Sequence, residues 1–392
     1  NYFKKNSNKI NSINSVNIEN YFFLRNIEIK NLKDKKEIYF LGENGDGKTI
    51  LLQAIFFAFQ QNYIKNYADA KFVGEAISYL NYNEKLNLNA TDNRQTKYGS
   101  LEFSFVENIF AYGINRRNII KDKNNKYNFM TLFNNKTNLN DPIEWFKELY
   151  FYELANDTSL IPLKNAIQIF HDILNENVEI KVNHKGVEFI EFGTSLEFHQ
   201  LSDGYQSVLI WTADLITKLS KIQPNAKNSK DFEAVVLLDE IDLHLHPRWA
   251  YSIVDKLRNW FPKIQWIITT HSPDVIRGAG ENAVFYKLFK EFDKKSQKNI
   301  IKISEPYFSE NMTSEMLNTL ITSPLFGINN ARMRLFNQLK NLNTNDNFLY
   351  SRIEKMIDKY INANAGKNYY SVADIDEMIE NAINEINHEE NK

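Results

Sequence analysis

Gly42-Glu43-Asn44-Gly45-Asp46-Gly47-Lys48-Thr49 fits the phosphate-loop pattern Gly-x-x-x-x-Gly-Lys-Ser/Thr at every fixed position. The residues before it, Glu37 to Leu41, read as a strand. After it, Leu51, Leu52, Ile55, Phe56 and Phe59 fall on one face of a helix running from Thr49 to about Tyr63. A glycine-rich turn in that setting lets consecutive backbone N–H groups curl around a phosphate, and the helix start adds the positive end of its dipole. The pattern therefore predicts a nucleotide held by Gly42 to Ile50, with Lys48 reaching the β- and γ-phosphates and the Thr49 hydroxyl ligating Mg²⁺. A chance glycine turn would be the competing reading, but it leaves both flanking elements unexplained.

A second piece follows at Ala234-Val235-Val236-Leu237-Leu238-Asp239-Glu240. An apolar strand ends in two carboxylates, which would lie at the carboxyl edge of a sheet, where open α/β folds bind ligands. Asp239 would hold Mg²⁺ through water, and Glu240 would orient and deprotonate the attacking water. Phe232 to Leu238 and Lys263 to Thr270 are apolar on both faces, as the middle strands of a parallel sheet are. Tyr21 to Lys30 and Glu37 to Leu41 read as strands joined by a charged turn. The stretch from Asn62 to Gly99 reads as irregular, with a half-buried strand after it at Leu101, Phe103 and Phe105. Asp157 to Asn177 reads as helical, Val178 to Phe192 as strand, and Val284 to Phe289 with Asn299 to Ile303 as an exposed hairpin.

Between the two motifs stands Leu201-Ser202-Asp203-Gly204-Tyr205-Gln206, leading into a helix over Ser207 to Lys218. Alone it is a helix cap. In the order phosphate loop, cap, carboxylate strand and His271, the chain resembles the ABC ATPase superfamily, whose signature reads Leu-Ser-Gly-Gly-Gln. That resemblance implies an ATP·Mg²⁺ hydrolase whose sites are completed in a homodimer. Ser202 and the Gly204 N–H would meet the γ-phosphate of the partner copy's ATP, and His271 would contact the γ-phosphate and help hold the attacking water. Asp239-Glu240-Ile241-Asp242-Leu243-His244-Leu245-His246-Pro247 and Thr269-Thr270-His271-Ser272-Pro273 narrow the likeness to the OLD-family and RecF-like ATPases. With Phe110 to Arg116, the Trp145 segment and Ser323 to Gly327, the chain is most similar to the PtuA ATPases of Septu-type antiphage systems and their retron-associated relatives. Two departures stand out: Asp203 replaces a glycine, placing a negative charge near the partner's phosphates, and no Gln is evident after the phosphate loop to ligate Mg²⁺. Gln95 and Arg116 are the two candidates for that region. His244 and His246 read as an interface loop rather than a metal pair.

The 392 residues, 43% hydrophobic, are enough for a packed core, and the net charge of −2 gives no global attraction to nucleic acid or anionic membrane. There is no Cys, which excludes disulfides and thiolate metal sites and fits a cytoplasmic location. No apolar stretch approaches the roughly 20 residues of a spanning helix, and Asn1 to Asn20 lacks the apolar run of a signal peptide. The expected organisation is an α/β head over residues 21–307, with a helical signature lobe at about 130–230. A polar segment, 1–20, precedes the head and a helical region, 308–392, follows it for assembly or partner docking. Asp374 and Asp376 read as the start of a final helix rather than a nuclease centre. Basic residues at Arg116, Arg117, Lys121, Lys123 and Lys126, and at Lys287, Lys290, Lys294, Lys295 and Lys298, read as solvated loops or as contacts for DNA or RNA. Two functions share this chemistry. One is the sensor or scaffold of a defence complex with a separate nuclease partner; the other is a RecF-like repair ATPase that clamps DNA. A transporter subunit lacks its usual pattern after Glu240, and a chromosome-organising ATPase would need long coiled-coil arms between Lys48 and Ser202.

Overall fold

A computed structural model describes residues 12–65, 88–92, 96–98, 101–103, 108–117, 119–120, 130–133, 138–157, 160–174, 178–294 and 297–309. The chain divides into two compact units, Asn1–Asn329 and Asn330–Lys392, and the described residues lie in the first. Expectations for Gln95, Ser323 to Gly327, Asp374, Asp376 and the helical region beyond 309 lie outside them.

In chain order the elements are β1 (Ile13–Tyr21), β2 (Leu24–Ile29), β3 (Glu37–Leu41), α1 (Lys48–Lys65), β4 (Leu88–Asp92), β5 (Thr96–Tyr98), β6 (Leu101–Phe103) and β7 (Ile109–Tyr112). Next come β8 (Ile119–Ile120), α2 (Met130–Phe133), β9 (Leu139–Asn140), α3 (Pro142–Leu154), α4 (Leu163–Ile173), β10 (Val178–Asn183), β11 (Gly186–Glu191) and β12 (Thr194–Leu196). The series ends with α5 (Asp203–Ile222), β13 (Val235–Leu238), α6 (Pro247–Trp260), β14 (Gln265–Thr270), α7 (Pro273–Arg277), β15 (Val284–Asp293), β16 (Lys298–Ile303) and β17 (Tyr307–Phe308).

The main sheet runs β4-β1-β2-β16-β15-β3-β14-β13-β7, with β17 on the side of β15. Its centre, β15-β3-β14-β13-β7, is parallel throughout. Side chains alternate across these strands, as the period of two requires. Tyr39, Leu41, Phe110, Tyr112, Val236, Leu238, Trp266 and Ile268 enter one core. Ile38, Phe40, Ile109, Ala111, Val235, Leu237 and Ile267 enter the other. Helix α1 covers the second face with Leu51, Leu52, Ile55 and Phe56. Helices α3, α4, α5 and α6 cover the first. The architecture is an α/β P-loop head.

Local chemistry explains the helix starts. Asp141 caps α3 by accepting from the Ile143 N–H at 2.8 Å, with Pro142 at the first turn. His246 does the same for α6 through its Nδ1, again before a proline. That fixes His246 in a structural role.

Several strand boundaries differ from the sequence reading. Strand β1 starts at Ile13, inside the stretch read as a polar N-terminal segment, and Ile13, Val16 and Ile18 are buried there. A register shift between Ile13 and Ser15 breaks the alternation that would have exposed the strand in sequence. The strand expected over Tyr21 to Lys30 is really the end of β1, a tight turn at Phe22 with φ of 50°, and β2. That turn carries none of the Gly, Asn or Pro that ordinarily mark one. The expected strand over Val178 to Phe192 is likewise a hairpin, β10 with β11.

One buried side chain ties β1 to the parallel core. The Gln265 amide accepts from the Ile13 N–H at 2.6 Å. It also donates to the carbonyls of Ile13, Leu32 and Lys35 at 3.1, 3.0 and 3.0 Å. Gln265→Leu preserves volume and leaves these groups unpaired, so stability should fall by about 2–4 kcal/mol. A thermal or urea unfolding curve matching wild type would refute this role.

Candidate functional site

The parallel register brings four chain segments to one sheet edge. Thr270 on β14 pairs with Leu41 on β3, just before the phosphate loop. Leu238 on β13 pairs with Ile268 on β14 and with Tyr112 on β7. Since β14 lies between β3 and β13, the loop after β3, Asp239-Glu240 after β13 and His271 after β14 all open on the same side.

The phosphate loop is shaped by its glycines. Gly45 and Gly47 have φ of 86° and 78°, which other residues adopt only under strain. A Cβ on Gly47 would also come within 2.5 Å of Ile301 Cδ1, because the loop rests on β16. Within the loop, Lys48 Nζ donates to the Gly42 and Glu43 carbonyls at 2.9 and 3.1 Å. Asn44 and Glu43 are exposed beside it, and Ile50 is partly buried on α1.

Asp239 is the centre of the site and is fully buried. Its Oδ2 accepts from the Thr49 hydroxyl at 2.6 Å, and its Oδ1 accepts from the Thr269 hydroxyl at 2.5 Å. A hydroxyl and a carboxylate at this spacing are hard oxygen donors of the type Mg²⁺ takes. Glu240 follows with φ of 44°, a strained backbone costing about 1–3 kcal/mol. Its N–H donates to Thr269 Oγ1 at 2.8 Å, and its carbonyl accepts from Arg116 Nη2 at 2.8 Å. The conformation is thus pinned on both sides, which aims the half-buried carboxylate.

Arg116 turns out to be buried rather than part of a solvated basic loop. It donates to the Gly113, Asp239 and Glu240 carbonyls at 3.2, 2.5 and 2.8 Å. Burial pulls its guanidinium down to about 10, while Asp239, Asp242 and Glu240 hold it up, so it is charged near neutrality. It therefore supports the carboxylate strand. His271 is half exposed, with Nδ1 at 3.4 Å from Asp242 Oδ2. Asp242 also accepts from the Thr270 hydroxyl. That pairing ties His271 to the loop that follows Glu240.

The signature segment is built differently. Ser202 caps α5 by accepting from the Tyr205 N–H at 3.4 Å, and Gln206 donates to the Leu201 carbonyl at 2.7 Å. A Cβ on Gly204 would lie 2.7 Å from the His244 carbonyl and 3.0 Å from the Trp249 ring, so this helix start presses on the loop after Glu240. Farther along α5, Asp214 accepts from the Tyr112 hydroxyl at 2.9 Å and pairs with Lys218 at 2.8 Å. Burial and the Asp214 charge push the Tyr112 phenol well up, so it remains a donor. This network sets α5 against β7. The exposed Asp203 carboxylate pairs with Arg117 at 2.5 Å, which partly offsets the charge that distinguishes this signature.

Thr49 and Asp239 are in contact, Lys48, Glu240 and His271 lie along the same sheet edge, and Leu201 to Gln206 reaches them through the Asp203–Arg117 pair and through Gly204 packed on the loop after Glu240. In the sequence Arg117 and Lys290 stand only among the basic runs, and Asp242 and Thr269 only within the stretches that carry the resemblance; the contacts they make here have no local signal. Lys121, Lys123, Lys126 and Lys295 lie outside the described residues. Among the described residues no helix is long and apolar enough to cross a membrane.

The family described as "AAA domain, putative AbiEii toxin, Type IV TA system" matches residues 40–277. Septu protein PtuA of Bacillus mycoides (strain KBAB4) is 29% identical over 341 residues, 81% of this chain and 45% of that protein. The retron Vc95 probable ATPase of Vibrio cholerae serotype O1 biovar El Tor is 32% identical over 131 residues, 33% of this chain and 25% of that protein. The chain thus spans less than half the length of these curated relatives. Among solved structures, the SMC head domain from Thermotoga maritima covers 75% of this chain and 99% of its own, with a TM-score of 0.38 and 14% identity. The family match spans more than half of the sequence and contains the phosphate loop, the signature segment, the carboxylate pair and His271, and the chain belongs to this AAA-domain family of ATPases.

Proposed function

We propose that this chain binds and hydrolyses ATP·Mg²⁺ at sites shared between two copies, as the ATPase of an antiphage defence complex that includes a separate nuclease. The observation that carries the chemistry is the 2.6 Å contact between the Thr49 hydroxyl and the Asp239 carboxylate, joining motifs far apart in sequence. The defence assignment draws its support from the likeness to Septu PtuA and the retron ATPase. The partner surface would come from the described head or from residues 308–392.

Thr49 and Asp239 would hold Mg²⁺, which would neutralise charge on the β- and γ-phosphates. Lys48 exchanges its two loop carbonyls for phosphate oxygens when ATP enters. Glu240 accepts a proton from water as that water attacks the γ-phosphate. His271, held by Asp242, orients the same water. Ser202 and the Gly204 N–H complete the phosphate shell from the second copy, whose α5 dipole favours the anion.

Glu240→Gln should retain ATP binding while hydrolysis falls by roughly a hundredfold or more, since it removes only the base. Lys48→Ala should instead weaken binding itself by about ten- to a hundredfold, the worth of a charged hydrogen bond. Calorimetric titration with ATP and phosphate-release kinetics separate the two effects; wild-type turnover by Glu240→Gln would remove the assigned base.

Head-to-tail pairing makes its own prediction. A Lys48→Ala chain mixed with a Ser202→Arg chain regenerates one intact site per dimer, so the mixture should exceed either parent in ATP turnover. Full activity in a species that sediments as a monomer would rule out a shared site.

A further inference from the structure

Asp46 puts a negative charge inside a loop whose other groups are arranged for an anion. Its side chain is nearly buried, and Oδ2 accepts from the Glu43 N–H at 2.7 Å, closing the turn. The Asp46 N–H donates back to the Glu43 carbonyl at 3.2 Å. A carboxylate fixed there repels a triphosphate, because Coulomb interactions at this range are weakly screened away from bulk water. The other oxygen, Oδ1, meets Lys290 Nζ at 3.2 Å.

The position of Lys290 follows from the sheet. Strand β15 runs parallel to β3, with Lys287 opposite Leu41, the last residue of β3. Because β15 continues past that point, Lys290 stands over the phosphate loop. Gly45 carries no side chain beneath it: a Cβ there would lie 3.5 Å from Lys290 Nζ. Gly42 packs equally closely, with a Cβ position 3.2 Å from the Leu288 carbonyl. Strand β15 therefore forms one wall of the loop, and its Lys290 is held there by Asp46.

We propose that Lys290 is a positioning residue of the nucleotide site, neutralising Asp46 so that the loop accepts a triphosphate. This rests on the reading of the loop as an ATP site. The pair acts as a unit: Asp46 fixes the turn through the Glu43 N–H, and Lys290 cancels the charge that this fixing introduces. Removing Lys290 alone leaves an uncompensated carboxylate against the phosphates. Removing the Asp46 charge as well relieves that penalty.

The test is ATP affinity of the full chain, by calorimetric titration, for wild type and five variants. Lys290→Met should weaken binding by about tenfold, the size of coupling usual for touching charged groups. Lys290→Arg should keep the wild-type affinity. Asp46→Asn retains an acceptor for the Glu43 N–H and should bind ATP at least as tightly as wild type, since Lys290 is then released toward the phosphates. Asp46→Asn with Lys290→Met should recover to within about threefold of wild type. That recovery also shows that the single Lys290→Met chain is folded, since a folding defect would persist in the double variant. Lys48→Ala is the control. If wild type binds no ATP, the loop assignment itself is wrong. If wild type binds and Lys48→Ala does not, while Lys290→Met matches wild type or the double variant is as weak as Lys290→Met, the role of Lys290 is refuted.

Discussion

A fully buried carboxylate must be compensated on every side, and in this head that carboxylate is Asp239. Its side chain takes the hydroxyls of Thr49 and Thr269, its N–H donates to the Tyr112 carbonyl at 2.9 Å, and its own carbonyl takes Arg116. Those partners come from the start of α1, from β14, from β7 and from the loop after β7. The sheet order and the site geometry thus meet at one residue. Displacing β14 from between β3 and β13 would strand the carboxylate and release the Glu240 backbone together.

The same economy governs the corner at Arg116 and Arg117. Adjacent residues face opposite ways: one enters the core beneath the carboxylate strand, and the other meets Asp203 at the head of α5. Behind them, Tyr112 links β7 to Asp214 on α5. The signature helix is consequently held to β7 and the loop after it by two contacts, one buried and one at the surface. The buried contact is the stronger constraint, because water competes for the exposed Arg117–Asp203 pair.

At the opposite, amino end of β3, Glu37 is enclosed by Arg258, the Gly280 N–H and the Tyr39 hydroxyl. Burial, then the Glu37 charge, raises the Tyr39 phenol well above its usual range. The strand that leads into the phosphate loop is therefore held at its amino end by a satisfied polar cluster, while its other end opens into the site.

The phosphate loop, the apolar strand ending in Asp239-Glu240, and the cap that starts α5 were all legible in the sequence. Each is made by neighbouring residues whose glycines, alternation or hydroxyl act locally. The parallel centre of the sheet was legible for the same reason, since strands apolar on both faces have few other places to lie. Strand β1 was hidden because its register shift spoils the period, and the turn at Phe22 because nothing in its composition marks it. Arg116 looked like one of several surface bases; only the fold buries it among carbonyls distant in sequence. Thr269, Asp242, Arg117 and Lys290 belong to the same class. Their roles depend on which strands become neighbours, and that is decided by packing two apolar cores against one sheet, not by any pattern local to those residues.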